Sequence, residues 1–325
     1  LGSRGLGDVY KRQYYSSSAG LLFDKNKTEL IKYPAGKSLK NFNIPNGVKS
    51  LDGYSFCNCS NLTSINIPES VTYIGIGAFY LCTNLKSIAI PDSVTKIENI
   101  TFTGCSSLTS ISIPESVTYI GLDAFKDCTS LTSIYIPDSV TLTGLSGTFS
   151  GCTSLTNVKL PDVIYIISTN TFAGCSSLLN IIIPDSVTSI KECAFEGCKS
   201  LTNIAIPESV TKIKTWAFKD CTSLKSIAIN NPDCEISNAK DTIPETAVIY
   251  GYKNSTAQTY AESFNRKFIS LEEIGDISGN GEIDLYDAIE IAKAIMGLRT
   301  FTAEEMIIAD FNKDGTVDLY DAIEI

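Results

Sequence analysis

From Ile44 to Ile229 the apolar residues recur in the same order every 23 residues, with one step of 24. Eight cysteines keep the beat (Cys59, Cys82, Cys105, Cys128, Cys152, Cys175, Cys198 and Cys221), and a phenylalanine stands three residues before each. Prolines from Pro45 to Pro207 follow the same interval. In each unit a stretch such as Leu62-Thr-Ser-Ile-Asn-Ile67 alternates with period two, which predicts a half-buried strand. Proline ends it, because it has no N–H for a ladder. Val71-Thr-Tyr-Ile74 predicts a second extended segment. The Ala-Phe-x-x-Cys stretch is too short for a stable helix and predicts a single helical turn.

No unit of this length buries its apolar residues alone. Stacked units share one core of Leu, Ile, Val, Phe and Cys, and eight coils at about 4.8 Å each give a strip roughly 40 Å long. The wording Cys-x-x-Leu-x-x-Ile-x-Ile-Pro-[Asp/Glu]-Ser-Val-Thr-x-Ile-Gly resembles the BspA-like leucine-rich repeat family over about residues 20–270. The resemblance implies a β-rich solenoid of about eight 23-residue coils with short helical turns, over residues 44–230. Residues 14–43 hold a hairpin pattern, Leu21–Tyr33, that would cover the first coil. Residues 231–274 drop the repeat and would close the other end, with a helix from about Ser255 to Asn265. Asp162–Ile167 is the poorest copy and predicts a bulge or bend. Leu1–Gln13 shares none of this periodicity and reads as an adapter or cloning tail outside the fold.

The outward strand positions, among them Ser64, Asn66, Ser112, Asn157, Lys159, Asn180 and Asn203, are small and polar, and Tyr135 is the lone aromatic there. They offer neither a carboxylate couple nor an aromatic stripe, so the expectation is a face for an unidentified protein or polysaccharide ligand. The acidic residue after each proline, from Glu69 to Glu208, reads as turn chemistry, with Asp and Ser accepting bonds from the local backbone. The cysteine ladder reads as buried free thiols acting as small hydrophobes, because parallel neighbours hold their Cβ atoms too far apart for a bridge. Cys57, Cys193 and Cys234 fall outside the ladder, and a bridge involving one of them stays open. Free thiols in an exported protein suit an anaerobic bacterium.

Charge changes the picture only at the end of the chain. The net charge is −10, and residues 276–325 carry −9 of it, from twelve Asp/Glu and three Lys/Arg. Nothing is basic enough to follow a phosphate backbone, which argues against nucleic-acid binding. There is no histidine, which excludes Ser-His-Asp and Cys-His catalysis. No apolar run is long enough to span a bilayer.

The acidity is organised. Asp276-Ile-Ser-Gly-Asn-Gly-Glu-Ile-Asp-Leu-Tyr-Asp287 is followed 34 residues later by Asp310-Phe-Asn-Lys-Asp-Gly-Thr-Val-Asp-Leu-Tyr-Asp321. Each twelve-residue loop places oxygen side chains at positions 1, 3, 5, 9 and 12 and glycine at position 6, a spacing that suits Ca²⁺ with its 6–8 oxygen ligands. Leu285–Met296 predicts a helix after the first loop, and Thr302-Ala-Glu-Glu305 is a capping box that opens another. An ordinary EF-hand has a helix before each loop and Glu at position 12; here Leu271–Gly275 is too short for a helix and position 12 is Asp.

Loop then helix, twice, resembles the type I dockerin module, over residues 275–325. The resemblance implies a small α-helical, EF-hand-like calcium domain with two sites. The first Ca²⁺ would be held by Asp276, Ser278, Asn280, Asp284 and Asp287 with the Glu282 carbonyl, the second by Asp310, Asn312, Asp314, Asp318 and Asp321 with the Thr316 carbonyl. It implies docking onto a cohesin domain of a cellulosome-like scaffoldin through Leu285 and Tyr286 or through Leu319 and Tyr320, identical in the two copies. Less negative charge in the first loop predicts weaker Ca²⁺ binding there. Compared with the first copy, the second helix stops about two turns short at Ile325, so the tail reads as truncated.

Together these expectations describe a non-catalytic, extracellular or cell-surface protein. Its repeats mediate adhesion, and its tail docks onto cohesin. The alternatives are an adhesin whose Ca²⁺ module stiffens a C-terminal stalk, or a fragment of a cellulosomal enzyme whose catalytic module lies elsewhere.

Overall fold

The period-two stretches become short parallel strands, each one repeat away from its partner. Ser64–Asn66 pairs with Ser87–Ala89, and that strand with Ser110–Ser112, so that Ile65, Ile88 and Ile111 fall in one inward row. Their Ser, Asn and Ala neighbours face outward, as strand alternation requires. A second row of two-residue strands, such as Lys96–Ile97 beside Tyr119–Ile120, runs along another side of the coil. The computed structural model describes residues 15–140, 146–272, 275–277, 283, 285–301, 303–310, 316–318 and 321. The proposed adapter segment, Leu1–Gln13, lies outside them.

The third side of each coil departs from the expected helical turn. Tyr54, Phe56 and Asn58 donate their N–H groups to Ile76, Ala78 and Tyr80 of the next coil. The residues between them close turns within their own coil, Cys57 onto Tyr54 and Cys59 onto Phe56. This alternation requires left-handed backbone at two positions per coil. One column runs Tyr54, Gly77, Ile100, Asp123, Gly147, Asn170, Cys193, Trp216, and the other runs Asn58, Leu81, Gly104, Asp127, Gly151, Gly174, Gly197, Asp220, all with positive φ. A helix would direct every N–H along its own axis. These turns instead send half of them across to the neighbouring coil.

The phenylalanines form a continuous stack. Successive rings from Phe56 to Phe218 lie 5.3–5.7 Å apart and within 21° of parallel. Rings repeated by translation report the spacing of the coils on their side. That spacing exceeds the 4.7–4.9 Å of neighbouring strands, so the solenoid curves with its sheet on the concave side. The cysteines are free thiols, and all those of the ladder are buried; Cys57, Cys193 and Cys234 are unbridged too.

Both ends of the repeat are covered. Tyr15–Ser18, Leu21–Asp24 and Glu29–Lys32 form antiparallel pairs, and the last of them pairs in parallel with Ser50–Leu51. At the far end α1 (Thr256–Ser263) is capped by Ser255, whose side chain accepts from the Gln258 N–H, and its Ala257, Tyr260 and Ala261 close the core. Strands Val248–Gly251 and Phe268–Ser270 complete the sheet.

The bend expected at Asp162–Ile167 does not disturb Ile166–Ile167, which pairs in register with Ser189–Ile190. The extra residue of the neighbouring unit falls in 141–145, outside the described residues. Among the described residues, the coil that lacks ladder strands on the concave side is 179–183.

Candidate functional site

Two regions can meet a partner, the concave sheet face and the acidic tail. On the sheet, a shallow groove of about 420 Å³ runs over Asn66, Ser87, Ala89, Ser110 and Ser112. A second, of about 440 Å³, lies where the ladder is interrupted and is lined by Asn157, Lys159, Asp162, Asn180 and Ile182. Ile182 is 85 % exposed there. Lys159 Nζ sits 2.6 Å from Asp162 Oδ1 and 4.0 Å from Asp138, an exposed pairing that contributes little stability. The expectation of a lone aromatic needs correction. Tyr250 follows the inward-facing Ile249 and therefore also points outward, though it is buried. Strand alternation in Val248-Ile-Tyr-Gly251 already carried that signal.

The acidic post-proline residues are exposed or half-exposed, as turn residues are, but the serine beside them acts differently from expectation. It donates to the preceding coil. Ser93 Oγ reaches Val71 O at 2.5 Å, Ser116 reaches Val94 O at 2.8 Å, and Ser209 reaches Val187 O at 2.7 Å. These serines bind coil to coil.

In the tail, α2 (Leu285–Ile295) follows the first loop, and α3 (Ala303–Ala309) leads into the second. The apolar face of α2 supplies Ile291, which packs with Ile277 and Ala309 against Phe301, Ile308 and Val317. Arg299 ties the helices together, 2.5 Å from Glu290 and 2.7 Å from Glu305, with Lys293 2.6 Å from Glu290. These hydrogen bonds, the one from Lys293 first, hold the Glu290 carboxyl below its usual range.

The loop residues come together only in part within the described set. Asp287 and Asp321, both at position 12, are fully buried carboxylates, and Asp318 N–H donates to Asp321 Oδ2 at 2.8 Å. Buried carboxylates need compensating charge or donors, so their chemistry fits a hard cation. Asp276, Asp310 and Thr316 are also described. Ser278, Asn280, Glu282, Asp284, Asn312 and Asp314 lie outside, and among the described residues no three candidate ligands are gathered. Of the docking positions, Leu285 is 75 % exposed and Tyr286 lies in α2, while Leu319 and Tyr320 lie outside the described residues. The exposed apolar residues Ile289, Met296 and Leu298 extend the surface that begins at Leu285.

A family model for the BspA type leucine rich repeat region, in six copies, matches residues 33–146 and 143–240. The chain belongs to this family. A model for the dockerin type I domain matches residues 274–325, which includes both loops. A crystal structure of a leucine-rich repeat protein from Bacteroides ovatus is similar at 28 % identity and TM-score 0.58, over 79 % of this chain and 76 % of that one. A leucine-rich repeat protein from Eubacterium ventriosum matches at 32 % identity and TM-score 0.48, over 57 % of this chain and 50 % of that one. One from T. pallidum matches at 26 % identity and TM-score 0.48, over 65 % and 88 %. No curated protein matches the chain.

The leucine-rich repeats and the dockerin domain give the protein a protein-interaction role, with cohesin docking as the general function of the tail. Neither domain type is catalytic. Type I dockerins are generally calcium-binding, and both families are typical of secreted or surface bacterial proteins. Among the described residues no helix is long and apolar enough to cross a membrane.

Proposed function

We propose that this is a non-catalytic extracellular protein whose tail docks, when calcium is bound, onto a cohesin domain of a scaffoldin. Its solenoid then holds out the small, polar concave face to a protein or polysaccharide ligand. One observation carries the reading. A tail of some fifty residues buries the carboxylates of Asp287 and Asp321 while leaving Leu285, Ile289, Met296 and Leu298 exposed along one helix and its end. Exposed apolar surface beside a polar, charged rim marks an interaction site.

Asp276, Ser278, Asn280, Asp284, Asp287 and the Glu282 carbonyl form the first site in this reading. Asp310, Asn312, Asp314, Asp318, Asp321 and the Thr316 carbonyl form the second. Bound calcium neutralises the acidic loops and fixes them for docking. The domain limits follow: cap 14–43, repeats 44–230, cap 231–274 and docking tail 275–325. Immobilised cohesins should capture the protein in calcium and release it in chelator. Capture that ignores calcium, or calcium binding with no capture by any cohesin, would favour an adhesin whose tail only stiffens the stalk.

A further inference from the structure

One coil of the repeat carries bulky aliphatic side chains where the sheet faces outward. Leu179 stands where the coils from Lys40 to Lys225 otherwise hold Thr or Lys, and Ile182 stands between Lys159 and Ala205 of its own column. Leu179 is 53 % and Ile182 85 % exposed. Single exposed apolar residues mean little, but these two fall in the coil where the ladder is interrupted. Among the described residues, Asn157–Lys159 pairs only with Ser133–Tyr135. The backbone of 179–183 makes one bond to a neighbouring coil among those residues, from the Thr202 N–H to Leu179 O at 3.4 Å. A sheet interior normally pairs such groups, so the break presents backbone donors and acceptors in the manner of an open strand edge.

The groove of about 440 Å³ lies on this break. Ile182 and Pro184 line its apolar side, and Asn157, Lys159, Asp162 and Asn180 line its polar side. Asp138 and Asp162 flank Lys159, and Asp185 follows Pro184 at the edge, so three negative charges stand there against the charge of Lys159. These features select an occupant. An extended polypeptide brings a backbone donor and acceptor for a strand edge to hold, and alternate side chains for an apolar wall to sort. A sugar would meet one outward ring nearby, Tyr135, beside aliphatic side chains that offer no face for stacking. A second copy would set the same acidic edge, and a net charge of −10, against itself.

We propose that this groove binds an extended segment of another protein, with an apolar side chain against Ile182 and a Lys or Arg among Asp138, Asp162 and Asp185. This narrows the reading of the concave face given above to one ligand class and one coil; it rests on that reading and is independent of docking by the tail.

The test selects random peptides displayed on phage against the full chain, in chelator so that calcium-dependent docking by the tail plays no part. Enriched peptides are then titrated by fluorescence anisotropy against the parent, Ile182→Asn and Asp162→Asn. Asn already occupies the Ile182 column at Asn66, and the Asp162 carboxylate is exposed, so both variants should melt as the parent does. The enriched peptides should combine apolar residues with Lys or Arg. Ile182→Asn should weaken them about tenfold, the loss of one interface anchor, and Asp162→Asn about threefold, the size of an exposed ion pair. Equal binding by parent and Ile182→Asn would move the ligand elsewhere on the concave face and overturn the groove. Enrichment of acidic peptides, or of none, would overturn it too. Soluble glucans or xylans that bind the parent and not Ile182→Asn would assign the groove to polysaccharide, and a dimer that the same variant dissolves would assign it to a second copy; either overturns the peptide. A parent that holds neither peptide nor polysaccharide would remove the concave-face reading as well, while cohesin capture is judged separately.

Discussion

The thiol of Cys105 lies 3.2 Å from the carbonyl oxygen of Phe79 in the preceding coil, and that same oxygen accepts the Cys82 N–H at 3.1 Å. The pattern repeats from Cys82 on Phe56 to Cys221 on Phe195, at 3.1–3.2 Å. Each thiol therefore fills a small apolar space and serves the second lone pair of a carbonyl that the turn leaves half satisfied. Cys105→Ala removes both functions and should cost about 1–3 kcal/mol, read as a shift in the denaturant midpoint. A midpoint that does not move would mean the ladder position is indifferent to the thiol.

The same burial sets a pH dependence. Cys59, Cys105 and Cys152 are pushed up to about 12 from an ordinary value of 9, chiefly by desolvation. A group whose folded value is raised contributes its stability fully below the unfolded value and loses it as pH rises toward the folded one. The solenoid should therefore weaken progressively between pH 9 and 12, and thiol reagents at neutral pH should label the half-exposed Cys57 and Cys193 first. Equal labelling of all eleven cysteines in the native state would contradict the structure.

Tyr33 extends the phenylalanine stack by one ring, 5.2 Å from Phe56. It is fully buried, and among the described residues its hydroxyl has no hydrogen-bond partner. An unsatisfied buried hydroxyl is destabilising. Tyr33→Phe keeps the ring and removes that burden, so it should raise stability by about 1 kcal/mol. A fall in melting temperature would mean that the hydroxyl has a role at the N-terminal cap.

Much of this was legible because the repeat states its core eight times over. Phe, Cys and Leu at a fixed interval can only be a shared interior. The turns were not legible. Their left-handed columns hold Ile100, Leu81, Cys193 and Trp216 as well as glycine, so composition hides a backbone requirement that inter-coil hydrogen bonds impose. Tyr250 was missed for another reason. Its orientation follows from its own strand, but its burial depends on Ile269 and Leu271, which pack against it from the segment after α1.

The left-handed columns give a direct test of that backbone requirement. Gly197 has φ of +72°, and a Cβ there would meet only the Gly174 Cα at 3.6 Å and its nitrogen at 3.7 Å, ordinary contact distances. Space is available, so Gly197→Val should cost about 1–2 kcal/mol from backbone conformation alone. Asp220 occupies the same column with φ of +58°, and Asp220→Gly should be neutral or slightly stabilising. The opposite ordering of the two variants would show that the column does not govern stability.

In the tail, Arg299 joins the two helices by bridging Glu290 and Glu305, with its guanidinium also 5.0 Å from the Phe301 ring. The Glu290 carboxyl is held low first by the hydrogen bond from Lys293 and then by that from Arg299. A depressed carboxyl contributes stability that is present above its unfolded value and is lost as pH falls through the folded one. The tail should therefore loosen on acidification below about pH 4.5, the ordinary carboxyl value. Glu290→Gln should flatten that acid limb, and Arg299→Ala should lower the tail's melting temperature at neutral pH while sparing the solenoid transition. Fluorescence and circular dichroism melts across pH 3–7 separate these effects. An acid limb that persists unchanged in Glu290→Gln would place the titrating group elsewhere among the loop carboxylates.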